Sequence, residues 1–98
     1  MTLTISAQAR DEFEQAIGYL MERNPSAAVA FHDSVLATFE RVMQFPAFGA
    51  PTTHPELRRV VLTAFPYTIY YRHNANQVDV EIVSIFATAR NPNKQPKY

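Results

Sequence analysis

The hydropathy pattern predicts an α+β fold: a helical hairpin packed on a small antiparallel sheet, with elements in the order β-α-α-β-β-β. Three observations carry this. Two long segments repeat apolar residues at helical spacing with almost no gap between them. Three later segments are rich in β-branched and aromatic residues and are joined by connectors too short to hold a helix. One-sided helices and a small sheet bury their apolar surfaces only against each other, so the hairpin covers one sheet face. The other face is left to solvent or to function.

The elements follow in order. "LTI", Leu3 to Ile5, alternates and reads as a short first strand. Ser6 suits a helix N-cap, and Asp11, Glu12 and Glu14 stand near the start of the helix, where its dipole favours them. From Ala7 to about Arg23, Ala9, Phe13, Ala16, Ile17 and Leu20 form one stripe. Asn24-Pro25 ends that helix and opens another, because the residue before proline leaves the α region while proline suits a first turn. From Ser26 to about Gln44, Ala28, Phe31, Val35, Phe39 and Val42 make a second stripe. "FPAFGAPTTHPE", Phe45 to Glu56, reads as a loop that Phe48 is expected to anchor to the core. Strands are expected at Leu57 to Ala64, Tyr67 to His73 and Val78 to Phe86. "NPNKQPKY", 91–98, is a polar, proline-broken tail.

The composition bounds the function. A chain of 98 residues, 47% of them hydrophobic, has material for one core and one domain, 1–98. Without cysteine there is no disulfide, thiolate metal site or cysteine nucleophile, which fits a cytoplasmic protein. No apolar run approaches the roughly 20 residues of a membrane helix, and no signal peptide is visible. The net charge of +0 conceals a division: three cations face seven carboxylates in residues 1–56, and six face two in residues 57–98. The basic half either faces an anionic partner or neutralises the acidic helices. His32, His54 and His73 lack the i, i+4 spacing of a helical metal site, so no metal is expected. Two glycines, Gly18 and Gly49, cannot build a phosphate loop or dinucleotide fingerprint, so no cofactor is expected either. Asp11, Glu12, Glu14 and Glu22 read as the solvated side of the first helix rather than as acid–base pairs.

Taken in order, "SAQARDEFEQAIGYL", "NPSAAVAFHDSVLATFERVMQFPAFG", "ELRRVVLTAFPYTIYYRH" and "EIVSIFATARNP" resemble the RelE/ParE superfamily of toxins from bacterial type II toxin–antitoxin systems. The resemblance covers nearly the whole chain and rests on the ordered set, since no single motif is specific. It implies a toxin neutralised by a cognate antitoxin, with a higher-order toxin–antitoxin complex possible. RelE-like members cut mRNA on the ribosome, using basic residues to stabilise the charge that develops on phosphate. ParE-like members are non-nucleolytic and poison DNA gyrase.

Strand alternation in "FPYTIYYRH" sets Tyr67, Ile69, Tyr71 and His73 on one side and Thr68, Tyr70 and Arg72 on the other. By resemblance, the nucleases carry arginine where this chain has Thr68, and a second basic residue where it has Thr88. A hydroxyl supplies no fixed positive charge, which argues against a nuclease; Arg59, Arg72 and Arg90 are the residues that would have to regroup for one. The "RR" at Arg58 and Arg59, the "FPY" and the arginine-proline ending look more like the ParE branch. That branch often has a histidine where Thr88 stands, a departure that favours a non-toxic binding module of the same family as a further alternative.

Arg58, Arg59, Tyr70, Arg72, Arg90 and Lys94 are the candidate target-binding residues. Arg58 and Arg59 are adjacent and point to opposite faces, so at most one is expected on a functional face and the other reads as a solvated or ion-paired strand residue. Tyrosine, with a pKa of about 10, is a poor base at neutral pH, so Tyr70 and Tyr71 are read as scaffold or contact residues rather than catalysts. The leading expectation is a ParE-like toxin that inhibits DNA gyrase and is held by an antitoxin; the alternative is a RelE-like endoribonuclease acting on ribosome and mRNA.

Overall fold

The computed structural model describes residues 3–62, 64–73 and 79–87. Ser6 organises its first turn. Its backbone is extended (φ −64°, ψ 158°), and its hydroxyl accepts from Ala9 N at 3.0 Å, capping helix α1, Ala7–Arg23. The same hydroxyl donates to Val83 O at 2.8 Å, and Ser6 N donates to Ile82 O at 2.9 Å, so the cap is tied to the sheet. No acidic residue lies in the first turn, which corrects the dipole role expected of Asp11, Glu12 and Glu14. Asn24 serves both helices. Its N–H returns to Leu20 O at 2.6 Å, and its side chain accepts from Ala27 N at 3.2 Å to cap α2, Pro25–Gln44. With Pro25 in the first turn, one residue reverses the chain.

The two stripes are buried as the spacing predicts. Ala9 and Ala16 of α1 and Ala28, Phe31, Val35, Phe39 and Val42 of α2 are buried, while Phe13, Ile17 and Leu20 pack against the core at its margin. Phe31 is the hub: its ring lies 5.9 Å from Phe13, 5.4 Å from Phe65 and 4.9 Å from Tyr67. Removing such a ring from a closed core costs about 3–5 kcal/mol.

The sheet is where the structure departs from the pattern. It has five strands, β1 (Leu3–Ile5), β2 (Ala50–Pro51), β3 (Leu57–Val61), β4 (Tyr67–His73) and β5 (Val80–Ala87), in the spatial order β1-β5-β4-β3-β2. β1 pairs with β5 in parallel, so the sheet is mixed rather than wholly antiparallel. The helical hairpin provides the long crossover that a parallel pair requires. β2 is a two-residue strand inside the stretch expected to be loop. A two-residue partner leaves no apolar rhythm to read.

A bulge in β5 sorts its side chains. Tyr70 pairs with Ser84 and Tyr71 with Ile82, so Val83 is the extra residue. Val80, Ile82 and Ile85 therefore all join Ile69, Tyr71 and Leu62 under the helices, while Val83 turns to the far face with Leu57 and Tyr70. At the bulge the Glu12 carboxylate accepts from Ser84 Oγ at 2.8 Å and from Ile85 N at 3.0 Å. Glu12, expected on the solvated side of α1, instead caps the edge of β5 where β1 has ended. No helix among the described residues is long and apolar enough to cross a membrane.

Candidate functional site

The sheet face away from the helices carries the candidate contact residues of β3 and β4. Strand register places Leu57 opposite Arg72 and Arg59 opposite Tyr70, and continues Arg72 to Glu81, Tyr70 to Ser84 and Thr68 to Phe86. Alternate residues share a face, so Leu57, Arg59, Thr68, Tyr70 and Arg72 lie on it together. Its centre is apolar: Leu57, Tyr70 and Val83 pack as a second small core, with Phe86 against it. Tyr70 is 4% exposed, so it is a member of this core and offers almost no surface to a partner in this conformation. Thr68 is equally buried.

Charge on this face is sparse. Arg72 Nη1 lies 3.1 Å from Glu81 Oε1 on the neighbouring strand, and both side chains are part-exposed. Such a pair contributes at most about 1 kcal/mol, but it commits the guanidinium to a carboxylate. The side chain of Arg59, a half-buried residue, has no hydrogen bond or ion pair to another described residue. It stands diagonally across from Arg72, which lies two residues along β4 from its direct partner Tyr70.

Arg58 points the other way and holds a loop. Its Nη1 donates to Gly49 O at 2.7 Å and to Ala47 O at 3.4 Å. Tyr71 reaches the same loop from β4: its hydroxyl donates to Pro46 O at 2.6 Å and accepts from Gly49 N at 2.7 Å. Burial pushes the Tyr71 hydroxyl above its ordinary pKa, with the Gly49 N–H and the Arg58 charge opposing in part. These contacts, rather than Phe48, anchor the stretch after α2. Phe48 is 44% exposed, with the Arg41 guanidinium 5.4 Å from the centre of its ring.

The six candidates thus separate. Arg59 and Arg72 share the open face, Tyr70 is buried beneath them, and Arg58 is turned to the loop. Arg90 and Lys94, Thr88, and the tail at 91–98 lie outside the described residues. No group of three histidine, aspartate or glutamate side chains among the described residues is placed to hold a metal ion. Sequence reasoning missed the Tyr71–Gly49–Arg58 anchor and the Glu12 cap. The position of Gly49 between Pro46 and Pro51 was its faint trace; for Glu12 the sequence carried no signal.

A phosphoryl transition state is stabilised by preorganised charge on several sides. Here one guanidinium is paired, one is unpaired among the described residues, and Thr68 is sealed.

Comparison with known proteins agrees with this architecture. The structure is similar to the chromosomal ParDE toxin–antitoxin system from P. aeruginosa, with a TM-score of 0.74 at 18% identity, over 89% of this chain and 95% of that one. It is similar to the isolated E. coli RelE toxin, with a TM-score of 0.64 at 14% identity over 88% and 82% of the two chains. The intact E. coli RelBE toxin–antitoxin complex gives 0.63 at 14% identity over 87% and 93%. At these identities the likeness is one of fold. A comparison of the sequence with curated proteins gave no match. The sequence itself matches the family described as ParE toxin of type II toxin-antitoxin system, parDE, over residues 3–92. The chain belongs to the ParE toxin family of type II toxin–antitoxin systems.

Proposed function

We propose that the protein inhibits DNA gyrase without catalysing a reaction, and that a cognate antitoxin neutralises it. The observation that carries this is the open sheet face: Thr68 is buried where the nuclease pattern has arginine, and Arg72 is paired with Glu81. Membership in the ParE family supports the same choice. Arg59 is the described cation best placed to contact the target. Arg58 serves the loop, and Arg90 and Lys94, by sequence, are the further cations proposed to contact the same partner. The cytoplasm, where gyrase acts, is the proposed location, and the antitoxin-bound form is proposed to be a higher-order complex.

The second reading, ribosome-dependent mRNA cleavage, draws on Arg59 and Arg72 sharing one face. One experiment separates the two. Purified protein is assayed for gyrase supercoiling and, in parallel, for codon-specific cuts in ribosome-bound message by toe-printing. Blocked supercoiling with intact message is the expected result, and Arg59→Ala should weaken the block about tenfold or more. Cuts that vanish in Arg59→Ala or Arg72→Ala would establish the nuclease instead. Unimpaired growth of cells expressing soluble protein without its antitoxin would leave only a non-toxic binding module.

A further inference from the structure

The crease between α1 and β5 holds a carboxylate whose charge no described residue balances. Glu12 accepts from Ser84 Oγ at 2.8 Å and from Ile85 N at 3.0 Å, and both bonds end on Oε1. Oε2 has no donor among the described residues, and none of their ion pairs includes Glu12. A half-buried carboxylate without a counter-charge is costly, so its presence calls for a cause. Capping the strand is not a sufficient one. The neutral side-chain oxygen of a glutamine could accept the same two hydrogen bonds.

A pocket of about 100 Å³ opens at Glu12, lined also by Tyr19, Tyr67, Ile85 and Phe86 among others. At roughly 30 Å³ for each water of the liquid, this is room for a compact group of about four heavy atoms. Three of the lining side chains are aromatic, and no lysine, arginine or histidine is among them. The backbone adds an acceptor. Ile85 turns its N–H to Glu12, the C=O of a strand residue lies on the same side as its N–H, and β1 has stopped pairing at Ile82. The rim already shows the affinity of these rings for a cation: the Arg23 guanidinium lies 3.8 Å from the centre of the Tyr19 ring.

We propose that this pocket is a guanidinium site: an arginine side chain enters between the aromatic rings and donates to Glu12 Oε2 and to the Ile85 carbonyl. The unbalanced carboxylate selects a cation and repels an anion. The aromatic walls select a planar, weakly hydrated guanidinium over a strongly hydrated ammonium, and its fork of donors serves two acceptors at once. Two sources can supply the group. Arg90 follows Ala87 by three residues, a reach of about 10 Å of extended chain. The other source is an arginine of a second molecule. The pocket lies on β5, two strands from Arg59 on β3, and the assignment is independent of whether gyrase is the target.

The test follows the Ile85 amide resonance of the full chain during titration with N-acetylarginine amide. N-acetyllysine amide and N-acetylcitrulline amide, the uncharged isostere of the arginine probe, are the controls. Wild type, Arg90→Ala and the double variant Arg90→Ala, Glu12→Gln are compared. Glutamine retains the acceptor for Ser84 and Ile85, so circular dichroism should show the double variant folded. In Arg90→Ala the arginine probe should shift Ile85 saturably, with lysine severalfold weaker and citrulline about tenfold weaker or more. Adding Glu12→Gln should weaken the arginine probe by about tenfold or more. A wild type that resists the probe while Arg90→Ala binds it supports the site with Arg90 as its occupant, and withdraws Arg90 from the target-contact residues. Equal binding by wild type and Arg90→Ala supports the site with an outside arginine. No saturable shift in Arg90→Ala, or equal binding of citrulline or by the double variant, overturns the proposal. Equal binding of lysine overturns it in favour of an unselective cation site.

Discussion

Tyr71 joins the interior to the surface through a single oxygen. Its ring is fully buried among Ile69, Ile82 and the helices, while its hydroxyl both donates to Pro46 and accepts from Gly49. Removing the oxygen leaves a buried N–H and a carbonyl without partners, which costs about 1–3 kcal/mol. Tyr71→Phe should therefore lower the unfolding free energy by that amount, seen as a lower urea midpoint with an unchanged m-value. It should also change the alkaline limb of stability. The folded pKa is raised above 10.0, chiefly by desolvation, so the folded state favours the neutral phenol. That contribution is complete below pH 10 and is lost as pH rises through the higher folded value. The wild type should lose stability steeply above pH 10, and the Phe variant, with no phenol at this position, should show a shallower limb. Equal limbs in the two proteins would remove Tyr71 from the account.

The two glycines show why a connection reads differently from a helix. Gly18 stands on the exposed face of α1 with nothing within 4 Å of a methyl group built there. Gly18→Ala should stabilise by about 0.5–1 kcal/mol, because alanine loses less backbone entropy in a helix. In a domain of this size 1 kcal/mol corresponds to about 4–8 °C in Tm. At Gly49 a Cβ would sit 2.7 Å from Tyr71 Cε1 and hydroxyl and 2.9 Å from Arg59 O. Tyr71 is enclosed and cannot yield, so Gly49→Ala should destabilise by about 1–3 kcal/mol and broaden the Phe48 resonances. Thermal unfolding of the two variants should move in opposite directions; a shared direction would contradict the packing described. The same contrast explains what was legible. Ser6, Asn24-Pro25 and the two apolar stripes act within a few residues of themselves, so both helices could be read to their ends. Glu12 acts on Ile85, 73 residues away, and the Val83 bulge exists only in relation to β4. The opposite facing of Arg58 and Arg59, and the shared face of Thr68, Tyr70 and Arg72, followed from alternation. The burial of Tyr70 and the exposure of Phe48 did not, because each depends on what the rest of the fold lays over it.

Charge is divided along the sequence, and three ion pairs among the described residues do not bridge the division. Residues 1–56 are acidic and 57–98 basic, yet Arg23 with Glu22, His32 with Asp33 and Arg72 with Glu81 each join residues of one half. None of these three links the halves, and all are substantially exposed, so each contributes at most about 1 kcal/mol. Charge left uncancelled by these pairs acts outward, as a field that attracts an anionic partner to the basic half. Two measurements at low and high salt follow from this. Between 0.05 and 0.5 M salt, roughly 14 to 4 Å in Debye length, the urea midpoint should shift by less than about 1 kcal/mol in free energy. Over the same range the association rate with an acidic partner should fall about tenfold or more, while a neutral partner's rate stays level. Stability that collapsed with salt while the association rate held would mean that the halves neutralise each other, and the basic face would then lose its claim to an anionic partner.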